Sequence, residues 1–168
     1  AKVVRLNIKK QGNLIGYIKG AGDAVPESLR QIGYTVKEIN PTEITAENLQ
    51  KFDAIVLGIR AYNVVDELKF KQKLLLDYVE KGGNMIVQYN TNRGVDVAAP
   101  FTLKLSRDRV TDEFAEVTIL DEEHPLLNYP NKITQEDFKG WVQERGLYFP
   151  TIWSDEYRPL LSMNDKGE

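Results

Sequence analysis

Two segments constrain this chain more than anything else in it: Leu14-Ile-Gly-Tyr-Ile-Lys-Gly-Ala-Gly-Asp23 and Asp53-Ala-Ile-Val-Leu-Gly-Ile-Arg-Ala-Tyr62. In each, a short apolar run ends in glycine and a polar residue, and a helical pattern follows. A buried parallel strand looks like this where it opens, at its carboxyl end, into a loop that faces a ligand. The pair implies a doubly wound α/β fold. The chemistry is harder to read, because the chain has no cysteine and no Gly-x-Ser-x-Gly elbow to supply a familiar nucleophile.

The remaining chain supports the same architecture. Val3 to Ile8 alternates loosely, as an edge strand or connecting arm does, and Lys9 to Asn13 is a polar break, so residues 1–12 read as a junction and the domain as 13–168. Leu14 to Ile18 is the first core strand, and Asp23 is placed to cap the next helix, which carries Val25, Leu29 and Ile32 on one face. Pro26 falls in its first turn and Gly33 at its end. Tyr34 to Ile39 is a second strand. Thr45 caps a short helix over Ala46 to Phe52, Ala54 to Ile59 is the third strand, and Val64 to Lys81 is the longest helix, closed by Gly82-Gly83. Met85 to Tyr89 is the fourth strand, with a polar loop after it from Asn90 to Gly94.

Beyond Pro100 the β-α alternation stops. Phe101, Leu103, Leu105, Val117 and Ile119 alternate with polar residues, as half-exposed strands do. Thr134 to Asp137 resembles a capping box for a brief helix carrying Phe138 and Trp141, and Leu147 to Trp153 and Pro159 to Met163 read as strands. Asn164-Asp-Lys-Gly167 is a good hairpin turn followed by Glu168 alone, the pattern expected of a sequence truncated before its return strand.

Composition narrows the function classes. At 168 residues and 42% hydrophobic content, the chain can bury one sizeable core. The net charge is −3 and basic residues are dispersed, so the electrostatic footprint of a nucleic-acid binder is missing. No apolar run approaches the length of about 18 residues that a membrane span requires. The N-terminus lacks the apolar stretch of a signal peptide, although it also lacks an initiating methionine. The compartment stays open between cytoplasm and cell envelope.

Taken with these motifs, the chain resembles a class I glutamine-amidotransferase-like domain of the branch that includes ThuA-like proteins. Ile15 to Tyr34, Gly58-Ile-Arg-Ala-Tyr-Asn63 and Asp137-Phe-Lys-Gly-Trp-Val-Gln-Glu-Arg-Gly-Leu-Tyr148 resemble, more closely, the C-terminal extension of bacterial PIG-L (LmbE-like) deacetylases. The resemblance implies a flavodoxin-like, three-layer, mostly parallel sheet with an extended β-rich C-terminal part. It also implies a covalently linked, zinc-dependent sugar N-deacetylase domain ahead of Ala1. That domain's Pro-His-x-Asp-Asp type metal motif is missing from this sequence, so zinc is expected only in the absent domain, and no cofactor in this chain. Where an amidotransferase carries its Gly-x-Cys-x-Gly elbow, this chain has Val87-Gln-Tyr-Asn-Thr91. Glutaminase chemistry is therefore out of reach.

In a flavodoxin-like strand order, the crevice opens between the first and third strands. It would collect Asp23, Arg60, Tyr62, Asn90, Asn92 and Arg93, with Glu144 and Arg145 from the distinctive Gly140 to Gly146 stretch as further candidates. Guanidinium and carboxamide groups beside helix N-termini suit an anionic or polyhydroxylated ligand. The competing readings are structural: Asp23 as a mere cap, Arg60 paired to a carboxylate, Glu144 and Arg145 paired to each other. Trp141, Tyr148 and Trp153 read either as core or as a platform for a sugar ring. His124, the one histidine, reads more readily as part of a solvated Asp-Glu-Glu-His-Pro turn than as a ligand or base.

The expectation from sequence is a non-catalytic accessory domain of a sugar deacetylase that binds carbohydrate or shapes substrate access. Its alternatives are a ThuA-like carbohydrate hydrolase or isomerase, which needs two positioned titratable groups in one crevice, and a structural docking or dimerisation module.

Overall fold

The computed structural model describes residues 7–93, 99–140 and 146–165. Its packing divides into two compact units, one over Gly12–Pro100 and the other over the described parts of 1–11 and 101–168.

The first unit is an α/β sheet. Strands β1 (Leu14–Ile18), β2 (Thr35–Glu38), β3 (Ala54–Leu57) and β4 (Asn84–Val87) are all parallel, in the order β2-β1-β3-β4. Side chains alternate across a strand, so β1 and β3 must fill two cores. Ile18, Ile55 and Leu57 enter one apolar cluster with Ile44, Leu49, Leu68 and Leu75; Ile15, Tyr17 and Val56 enter the other with Val25 and Leu29. The second cluster is covered by α1 (Val25–Gln31), the first by α2 (Ala46–Leu49) and α4 (Leu68–Glu80). Strand order reverses at β1: β2 is added on one side of it and β3 on the other. The carboxyl ends of β1 and β3 therefore flank the switch point. Ile55 has no solvent exposure. Ile55→Val is expected to cost about 1 kcal/mol of stability by urea titration.

The helix expected over Val64 to Lys81 starts later, at Leu68, behind a separate turn. A single turn, α3 (Ala61–Val64), ends where Val65 adopts an extended backbone with φ −114° and ψ 90°, and α4 begins at Leu68. Apolar spacing continues through the break and so conceals it in the sequence. Gly33 terminates α1 with φ +94°, a left-handed conformation that glycine adopts without a Cβ penalty. Backbone geometry makes Ala24 the cap of α1; the Asp23 carboxylate accepts the Val25 N–H at 2.9 Å.

The second unit carries two antiparallel pairs, β5 (Leu103–Leu105) with β7 (Pro150–Trp153) and β6 (Val117–Ile119) with β8 (Leu161–Met163). These strands are shorter than expected. A helical turn, α5 (Pro125–Asn128), and a 3-10 turn, Gln135–Phe138, connect them. The capping box is present: the Thr134 N–H donates to Asp137 Oδ2 at 2.7 Å. Asn131 holds the arm through Lys9, whose N–H donates to Asn131 Oδ1 at 2.8 Å, while Asn131 Nδ2 donates to the Lys9 carbonyl at 2.7 Å. Trp141, Glu144, Arg145 and most of the arm from Val3 to Ile8 lie outside the described residues. Among the described residues, no helix is long and apolar enough to cross a membrane.

Candidate functional site

Loops at the carboxyl ends of β1, β3 and β4 meet around Asp23. Its Oδ2 accepts the Tyr17 hydroxyl at 2.7 Å, the Ile59 N–H at 3.0 Å and the Gln88 side-chain amide at 3.4 Å, and its Oδ1 accepts the Val25 N–H. One carboxylate thus joins the ends of all three strands and the start of α1. Desolvation alone would raise its pKa, but the bonds from Ile59, Tyr17, Val25 and Gln88 outweigh it and hold the carboxyl below the usual carboxylate value. Asp23 is a latch that stays ionised, unsuited to carrying a proton at neutral pH. Tyr17, almost fully buried, has its pKa raised by burial first and then by the bond to Asp23. The phenol keeps its proton and remains a donor.

Arg60 occupies the turn between β3 and α3 in the left-handed region, at φ 58°. Its N–H donates to the Tyr89 carbonyl at 2.7 Å, which ties this turn to the loop after β4. Left-handed backbone at a bulky residue carries a steric cost and persists only where neighbours over-determine it. The Arg60 side chain is exposed, and among the described residues its guanidinium takes no partner. The same is true of Arg93.

Tyr62 is the clearest correction to the expected crevice set. It is 5% exposed within the core, and its hydroxyl donates to Gln72 of α4 at 2.5 Å. Burial, partly offset by that bond, pushes its pKa up to about 12. It braces α3 on α4 from within the core.

Asn63, one residue further on, does what the sequence did not single out. Its Oδ1 accepts the Thr91 N–H at 2.8 Å, and its Nδ2 donates to the Arg93 carbonyl at 2.7 Å. One carboxamide therefore fixes the 91–93 loop against α3. Asn63→Ala is expected to lower stability by about 1–2 kcal/mol and to broaden the amide resonances of residues 91–93 by NMR.

Asn90 is 8% exposed; its Nδ2 donates to the Gln88 carbonyl at 2.9 Å, and its Oδ1 is buried with no donor among the described residues. Asn92 Oδ1 is in the same state. Two buried acceptors without donors in one short loop are unusual, since such groups cost about 1–3 kcal/mol each.

Hydrogen bonds thus tie together the loops that carry Asp23, Arg60, Asn90, Asn92 and Arg93, and Tyr62 lies in the core. Tyr17, Asn63 and Gln88 belong to the same network; the polar residue ending each apolar run was the signal for Gln88, and nothing in the local sequence marked Tyr17. His124 caps α5, its Nδ1 accepting the Leu126 N–H at 3.2 Å. Compared with known proteins, the chain matches no protein-family model and no curated sequence.

Proposed function

We propose that this chain is a non-catalytic accessory domain of the flavodoxin-like, doubly wound class that binds a polyhydroxylated ligand at the carboxyl ends of β1, β3 and β4. The observation that carries the reading is the pair of exposed guanidinium groups of Arg60 and Arg93, without partners among the described residues, on loops tied together at the carboxyl edge of the sheet through Tyr89 and Asn63. Guanidinium groups exposed at such an edge suit the ring and hydroxyl oxygens of a polyhydroxylated ligand. The state of Asp23 favours binding over turnover: its two oxygens already accept four donors, so it is a poor general acid or base. Sequence resemblance to the C-terminal extension of PIG-L-type deacetylases supports carbohydrate as the ligand and a covalently linked zinc deacetylase domain as the partner.

The test is an NMR titration of the isotope-labelled chain with N-acetylated and deacetylated saccharides. Saturable shifts are expected at the backbone and side-chain amides of Asn90 and Asn92. Arg60→Ala, which leaves the left-handed position occupied by a residue with a Cβ, is expected to weaken binding about tenfold, the loss of roughly 1.4 kcal/mol. A folded sample whose crevice resonances stay unmoved across the panel overturns the reading.

A further inference from the structure

A groove of about 740 Å³ lies in the second unit, within the size range of small-ligand sites. Its apolar lining includes three aromatic side chains, Phe149, Trp153 and Tyr157. Tyr157 is fixed: its hydroxyl accepts the Phe101 N–H at 3.2 Å and donates to the Phe101 carbonyl at 3.1 Å, and the two rings meet edge to face at 6.0 Å. Trp153 closes β7 opposite Leu103 and is 45% exposed, so much of a large aromatic surface is open to solvent on a paired strand.

The polar groups around this aromatic wall narrow the ligand class. Asp108, Arg109, Ser162 and Asn164 line the same groove, and among the described residues their side chains have no hydrogen bond or ion pair. They supply a carboxylate acceptor, a guanidinium donor, a hydroxyl and a carboxamide. Arg158, also in the lining, is paired to Asp121 at 2.7 Å, and Asp165 is satisfied by the Thr111 hydroxyl and the N–H groups of Thr111 and Asp112. A lipid chain would desolvate the four free polar groups with nothing to bond them. A strong anion would meet Asp108 and Asp165 along with Arg109. A neutral ligand with one apolar face and alternating donors and acceptors at its edge satisfies every part of the lining, and a pyranose ring has that form.

We propose that this groove is a separate carbohydrate subsite that seats a pyranose face on Trp153 and bonds its hydroxyls through Asp108, Arg109, Ser162 and Asn164. The proposal goes beyond the crevice of the first unit and stands on different residues.

The chain has two tryptophans, so a labelled wild-type sample gives two indole N–H resonances, assigned with Trp153→Phe. The probe is the β-1,4-linked trisaccharide of N-acetylglucosamine, with the amphiphilic anionic dye 8-anilinonaphthalene-1-sulfonate titrated separately. The trisaccharide is expected to shift the Trp153 indole saturably, and Arg109→Ala, at an exposed position, to weaken that response at least fivefold. Shifts at Trp153 without shifts at Asn90 support this subsite and overturn the crevice reading. Shifts at Asn90 alone, or a Trp153 response to the dye but not to the trisaccharide at about 10 mM, the range of the weakest specific affinities, overturn the subsite.

Discussion

Asp23→Ala is expected to destabilise the protein by about 3 kcal/mol, because it removes one charged acceptor from four donors at once and strands the buried Tyr17 hydroxyl. Asp23→Asn, which keeps the shape and one acceptor oxygen, is expected to recover part of this. The pH dependence has a definite sign. The folded carboxyl lies below its ordinary value of 3.8, so its contribution is fully present above that value and is lost as the pH falls through the folded pKa. Urea titrations at pH 7 and at successive steps below pH 4 check this: the wild-type advantage over Asp23→Ala should shrink with acid. Asp53 and Glu43 are also depressed, by N–H bonds from Asn13 and Leu14 and from Asn40 respectively, so the difference between the proteins is the readout. An advantage that stays constant into acid would mean that the latch is neutral packing.

Gly20→Ala is expected to cost as much, about 3 kcal/mol, at the upper end of the overpacking range. Gly20 lies against the turn after β3, where the Ala21 N–H donates to the Ile59 carbonyl at 2.8 Å. A methyl group on Gly20 would overlap the Ile59 carbonyl oxygen and crowd the Gly58 carbonyl and the Ala61 N–H. All three are backbone atoms, so no side-chain rotation relieves the contact. The displaced turn carries Arg60, and saccharide binding at the crevice should weaken together with stability. Thermal melts and the same NMR titration check both effects. Gly22→Ala is the useful contrast, since its Cβ would meet no neighbour and its cost would come from the positive φ alone.

Much of the first unit was legible from local chemistry. Apolar runs that end in glycine marked β1 and β3, and their two-sided burial followed because successive positions, which point to opposite faces, are apolar. Caps were readable for the same reason: Thr45 accepts the Asn48 N–H and Asp137 accepts the Thr134 N–H, both three residues away. The second unit was legible only as extended and half-exposed. Its strands pair across more than 40 residues, Leu103 with Trp153 and Val117 with Met163, and no short-range signal encodes such partners.

The sequence by itself determined the parallel α/β sheet, the loops at its carboxyl edge and the absence of a cysteine nucleophile, because these depend on residue type and on neighbours within a helical turn. Tertiary structure alone decided what those loops present. Tyr62 and Asn63 are adjacent in one helical turn, yet one is buried against Gln72 and the other ties down the 91–93 loop. Asp23 bonds Ile59 and Gln88, 36 and 65 residues away, once three strand ends converge. Hydrophobic period reports which face of an element is buried; which polar atoms find partners depends on the segments that the sheet order brings together.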